Sequence, residues 1–128
     1  MIFGIGIDLV CIARMESAIE RHGQRFAERL LGDRELEAYA ESHRKAAFLA
    51  KNFAAKEALL KALGTGLRMG IRWHDVEVRN DPLGKPFLVC GGRVRELFDE
   101  RGITESHVSI TDERDYAAAF VTLVCGPP

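Results

Sequence analysis

The chain has 128 residues, 47% of them apolar and 29% charged, with a net charge of −1. That suffices for one globular domain with a modest core, expected over residues 1–128. It argues against a generally basic nucleic-acid binder, a repeat array with a period of about 20 to 50 residues, and a membrane protein, since no run approaches the roughly 18 apolar residues of a span. No basic region, apolar block and small-residue cleavage site of a signal peptide opens the chain, so a cytoplasmic location is expected. Cys11, Cys90 and Cys125 are odd in number and lack CxxC spacing, which points to neither a disulfide framework nor zinc.

The first element, MIFGIGIDLV, reads as a buried strand over 1–10. A period of two puts Met1, Phe3, Ile5 and Ile7 on one face and Ile2, Gly4, Gly6 and Asp8 on the other. The glycines bare that second face for close approach by a backbone, a helix or a ligand. Asp8 stands at its end and needs a partner, because an unpaired buried carboxylate costs on the order of several kcal/mol.

Three short helices should follow. IARMESAIERHG carries Ile12, Met15 and Ile19 at helical spacing and stops at Gly23, QRFAERLLG ends on Gly32, and GDRELEAYAES offers Asp33 as an N-cap. The longest helical signal runs from Lys45 to Leu63 and closes on Gly64. Between Arg44 and Arg72 stand seven basic residues and a single acid, Glu57. This excess suits either an anion-binding surface or a solvated helix face balanced by acids from elsewhere.

Wound at about 100° per residue, that helix places Glu57 within about 60° of Ala46, Ala50, Phe53, Ala54 and Leu60, so an acid points with the apolar stripe. Lys61, four residues on, could neutralise it as a helical pair. Alternatively, Asp8 and Glu57 supply one carboxylate each to Mg²⁺, which prefers oxygen ligands and keeps positions open for phosphate, with Lys56 and Lys61 serving that phosphate. Gly64, Thr65 and Gly66 could bring backbone N–H groups to a phosphate or simply cap the helix. The GIG of the opening strand lacks the third glycine and following helix of a dinucleotide fingerprint.

DVEVR and PFLVC flank the turn NDPLGK and read as a hairpin; RVRELFDERG is a helix stopped at Gly102, and HVSIT and YAAAFVTLVC suggest a terminal hairpin. Alternation sets His107, Ser109 and Thr111 on one face, read as a binding rather than a nucleophilic group. His22, His43 and His74 have no metal-ligand spacing and are expected at the surface. The fold class is α+β with a mainly antiparallel sheet and a long central helix.

GIGIDLV, FAAKEALLKALGTG, NDPLGKP and HVSITDERDYAAAFV, in this order and spacing, resemble the holo-acyl-carrier-protein synthases, the small bacterial type of 4′-phosphopantetheinyl transferase. The resemblance implies the fold of that family and a Mg²⁺-dependent transfer of 4′-phosphopantetheine from coenzyme A to a serine of apo-acyl-carrier protein. Adenosine 3′,5′-bisphosphate would be released, in the service of fatty acid biosynthesis. It implies that Asp8 and Glu57 bind the metal, that Lys61 contacts phosphate, and that Gly64, Thr65, Gly66, Lys85, Pro86, His107 and Ser109 surround coenzyme A. Either Glu57 or a metal-associated water would take the serine proton. Arg14, Arg25 and Arg29, with Phe26 as an apolar contact, would grip the acidic carrier, although Glu16, Glu20 and Glu28 nearly cancel their charge. A homotrimer with active sites at subunit interfaces is also implied. Where the family commonly has an arginine before FAAKEA, this chain has Asn52, preceded by Lys51. The alternative is a non-catalytic module that binds carrier protein or nucleotide phosphate; another kind of Mg²⁺ phosphotransferase would need a Walker sequence that is missing.

Overall fold

A computed structural model describes residues 1–127. Strand β1 (Ile2–Cys11) runs directly into helix α1 (Ile12–His22), followed by α2 (Gln24–Leu30), α3 (Asp33–Glu41) and the long α4 (Lys45–Leu63). A 3₁₀ turn (Trp73–Asp75) leads into the hairpin β2 (Val76–Asn80) and β3 (Pro86–Cys90). Helix α5 (Gly92–Arg101) and the hairpin β4 (Ile103–Asp112) and β5 (Tyr116–Cys125) complete the chain. Every strand pairing is antiparallel: β1-β5-β4 form one sheet and β2-β3 a second. The α+β architecture expected from the sequence is therefore present, with β5 at the centre of the main sheet.

The core is built around α4. Six of its alanines, Ala47, Ala50, Ala54, Ala55, Ala58 and Ala62, are at most 5% exposed, and Leu49, Leu59, Leu60 and Leu63 fill the space between its neighbours. Small side chains on one flank let β1 lie nearly in backbone contact. A Cβ on Gly6 would strike the carbonyl oxygen of Ala58, and one on Gly4 the carbonyl oxygen of Ala62. The cleared face of GIGID thus does receive a helix.

Its other face differs from the expectation of a buried strand. Ile5, Ile7 and Leu9 are 58%, 63% and 65% exposed, because none of the described residues covers that side of the sheet. In register, Ile7 lies beside Phe120 and Leu9 beside Ala118, so the open face is continuous across β1 and β5. Two smaller differences are local. Gly32, not Asp33, is the N-cap of α3: its N–H donates to the Glu35 carboxylate at 2.9 Å, which is the one half of a capping box that a glycine cap permits. Strand β4 begins at Ile103, because pairing with β5 carries the polar Thr104–Glu105–Ser106 stretch into the sheet.

Candidate active site

The pleat of β1 turns Asp8 toward α4, one step beyond Gly6. There the Lys61 ammonium donates to Asp8 Oδ1 at 3.0 Å and to the Ile7 carbonyl at 3.0 Å. Lys61 therefore pairs with Asp8 rather than simply with Glu57 one turn away. Glu57 is half-buried beside both. Burial raises its pKa, the nearby Asp8 carboxylate raises it further, and the Lys61 ammonium opposes them. The three residues singled out in the sequence, Asp8, Glu57 and Lys61, meet in one chain.

The chemistry of this donor set fits Mg²⁺. Two hard carboxylates repel one another, and among the described residues no hydrogen bond engages the Glu57 oxygens. No cluster of three or more His, Cys, Asp or Glu forms among the described residues, so a cation here would retain open positions for water or phosphate.

Lys56 does not belong to this site, contrary to the expectation that it serves phosphate. Its side chain is 0% exposed, and its ammonium donates to the Leu30 carbonyl at 2.6 Å, to Glu35 Oε1 at 2.8 Å and to the Trp73 carbonyl at 3.2 Å. Burial lowers the pKa of the amine, and the Glu35 carboxylate works against that shift. Glu35 itself is 1% exposed and also accepts from Asn52 Nδ2 at 2.9 Å and from the Val78 N–H at 3.2 Å. Both charges are paired and hydrogen-bonded, and removing one partner of such a pair costs about 3–5 kcal/mol. Asn52 spends its amide on this network. Glu35 escaped the sequence analysis; the only signal was its place three residues after Gly32 in GDRE, the spacing of a capping box.

The glycine turn after α4 is a helix cap first. Gly64 is left-handed at φ 86°, and the N–H groups of Gly64 and Thr65 both return to the Leu60 carbonyl. Thr65 is buried with its hydroxyl on the Gly66 carbonyl at 2.8 Å. Of this turn's three N–H groups, only that of Gly66 has no bond among the described residues.

Lys85, Pro86, His107 and Ser109 do gather, in a concavity of about 420 Å³ completed by Phe87 and Phe120. The NDPLGK turn supplies the first pair: Asp81 Oδ1 accepts the N–H groups of Leu83 and Lys85 at 2.8 and 2.9 Å, and Gly84 takes φ 89°. His107 lies opposite Thr122 and Ser109 opposite Phe120, which places them on the outer face of the sheet with Ile7. Asp8 is on the inner face, so within one chain this group and the Asp8 group stand on opposite sides of the sheet. His107 Nε2 meets Glu105 Oε2 at 3.1 Å rather than the Ser109 hydroxyl, so no serine–histidine dyad forms.

A third group lies on the short helices. Arg25, Phe26 and Arg29 of α2, Arg21 of α1 and His74 of the 3₁₀ turn line one groove of about 580 Å³. Arg14 is outside its lining, exposed on the same side of α1 as Arg21, two turns earlier. Among the described residues none of these arginines forms a salt bridge, so the neighbouring glutamates do not tie them up. His22, His43 and His74 are all at the surface, as expected.

The family model of the 4′-phosphopantetheinyl transferase superfamily matches residues 4–121. The holo-[acyl-carrier-protein] synthase of Herminiimonas arsenicoxydans is 50% identical over 126 residues, covering 94% of this chain and 96% of its own. The chain belongs to the holo-[acyl-carrier-protein] synthases of that superfamily. It is accordingly an enzyme, a phosphopantetheinyl transferase. The crystal structure of the Neisseria meningitidis synthase matches it with a TM-score of 0.91 and 38% identity, over 97% of this chain and 99% of the other. The Helicobacter pylori synthase, whose structure is in complex with coenzyme A, matches with a TM-score of 0.83 and 31% identity, over 94% of this chain and 99% of the other. The α+β fold with α4 at its centre is thus the fold of these synthases.

Proposed function

We propose that this chain, working as one 4′-phosphopantetheinyl transferase domain, moves 4′-phosphopantetheine from coenzyme A to a serine hydroxyl of apo-acyl-carrier protein and releases adenosine 3′,5′-bisphosphate. The observation that carries the reading is the meeting of Asp8, Glu57 and Lys61 where β1 crosses α4. In the reaction the serine oxygen bonds to the β-phosphorus, the bond from that phosphorus to the bridging oxygen breaks, and the bisphosphate leaves with the electron pair. The chain's part is to position and neutralise. Lys61, more than half exposed beyond its bond to Asp8, offers an ammonium to a pyrophosphate oxygen. Either Glu57, half-buried beside Asp8, or a water at the metal site would receive the proton of the serine hydroxyl. Asp8 and Glu57 would hold Mg²⁺, which when bound neutralises pyrophosphate charge and stabilises the leaving group.

The rest of coenzyme A is assigned to Gly64, Thr65 and Gly66 and to Lys85, Pro86, His107 and Ser109. Since the last four stand across the sheet from Asp8, their participation fits a homotrimer, in which the outer face of one copy faces the Asp8 site of another. The groove of Arg25, Phe26 and Arg29, extended by Arg14, would receive the acidic carrier protein. A cytoplasmic role in fatty acid biosynthesis follows from that choice of partner.

Incubation with apo-acyl-carrier protein, coenzyme A and Mg²⁺ should leave the carrier heavier by one phosphopantetheinyl group, measured by mass spectrometry. Chelator should stop the transfer, and Asp8→Ala or Glu57→Ala should slow it by about a hundredfold or more while the fold persists. An unmodified carrier, or full rates in both variants, would sink the assignment.

A further inference from the structure

The mechanism uses Glu57 and leaves its neighbour Lys56 idle, although Lys56 is wholly buried. The three acceptors of its ammonium form a pattern. Leu30 is the last residue of α2, and Trp73 is the first residue of the 3₁₀ turn. These two segments are the walls of the arginine groove, for α2 carries Arg25, Phe26 and Arg29 and the turn carries His74. His74 Nε2 closes one wall on the other through the Glu28 carbonyl at 2.8 Å. The third acceptor, Glu35, holds the ammonium in place and is itself fixed by Gly32, Asn52 and Val78.

We propose that Lys56, anchored by Glu35, is a positioning residue for the carrier protein: it pins both walls of the groove to the turn of α4 that bears Glu57, and so sets where the serine of a docked carrier lies. The inference rests on the reading that this groove receives the carrier. An apolar residue at position 56 would give packing without direction. An ammonium with three donors fixes three points of the surrounding structure at once. The reacting groups and the docking groove belong to different elements, and a displacement of about 1 Å between them can cost about a hundredfold in rate. None of the residues assigned to coenzyme A hydrogen-bonds to Lys56, so loosening the pin acts first on the carrier side.

The test compares Lys56→Met, which leaves Glu35 unpaired, with Glu35→Gln/Lys56→Met, which leaves no buried charge and carries the measurement if the single variant does not fold. Folded fractions are matched by circular dichroism before kinetics. With both substrates varied, KM for apo-carrier should rise about tenfold or more, and kcat should fall with it, while KM for coenzyme A stays within about twofold. A purely structural pair would give either no change in the folded double variant or a loss shared equally by both substrates, and either result overturns the proposal. Arg25→Ala/Arg29→Ala, measured in parallel, separates the two levels. If it leaves carrier KM unchanged, the groove reading itself fails; if it raises carrier KM while the double variant does not, only the role of Lys56 fails.

Discussion

At the scale of single residues, the site is governed by which charges have company. Asp8 has Lys61 at 3.0 Å, whereas Glu57 sits half-buried and has a like charge nearby, so its pKa is raised from the ordinary 4.5. An acid whose pKa is higher in the folded state holds its proton to higher pH there than in the unfolded chain. Its contribution is therefore most favourable at low pH and declines as pH rises from the ordinary glutamate value through the raised one. Glu57→Gln removes that decline. In chelator, the variant should melt at a higher temperature than the wild type at neutral pH, and the gap should close as pH falls toward 4.5. Parallel melting curves over that range would expose a misplaced Glu57. The same substitution should lose transfer activity, the usual opposition between stability and a site built from repelling groups.

At the scale of elements, the decisive contact is β1 on α4. It depends on glycine facing alanine, and it sets the separation of Asp8 from Glu57. Gly6→Ala would drive a Cβ into the Ala58 carbonyl and the Ala62 amide, backbone atoms that cannot move aside as a flexible side chain would. The strand must lift from the helix, at a cost near or above the upper end of the about 1–3 kcal/mol typical of overpacking. Chemical denaturation should show that loss, and the folded remainder should transfer poorly because Asp8 has moved with the strand. Wild-type stability and rate in Gly6→Ala would mean that the close approach is not needed. Helix α4 tolerates such crowding because its neighbours hold it in place: the sheet on the glycine flank, and α1, α3 and β2 elsewhere. Its charged pair Glu57 and Lys61 lies beside β1, where Lys61 reaches Asp8 and the Ile7 carbonyl.

At the scale of the whole molecule, the open face of the main sheet is the feature without a purpose in one chain. Ile5, Ile7, Leu9 and Phe120 are exposed together. Contiguous apolar surface of this kind marks an interface more often than a solvated face. It also separates Lys85, His107 and Ser109 from Asp8, which assembly would reverse. Ile7→Glu places a charge at its centre and leaves the inner face untouched. Sedimentation should show the wild type as a trimer and the variant as a monomer, with transfer reduced about tenfold or more at equal folded fraction. A monomeric wild type with full activity would remove the trimer from the account.

Much of this was legible in the amino-acid sequence because it depends on short-range pattern. The period of two with glycines in GIGID marked a face to be covered, the run from Lys45 to Leu63 with Gly64 after it gave α4 its bounds, and Asp8 and Glu57 stood out as acids in apolar company, with Lys61 one turn from Glu57. The burial of Lys56 could not be read, since it lies only one residue from Glu57 and both are charged on an alanine-rich helix. What separates them is the arrival of Glu35, Leu30 and Trp73 from distant parts of the chain. The open face of β1 was equally hidden, because a strand with isoleucine at alternate positions looks the same whether its cover comes from its own chain or from another copy. Residue pattern determined the elements and the candidate chemistry. Tertiary packing decided which charges are sequestered and which face is left open, because burial is a property of what arrives on the other side.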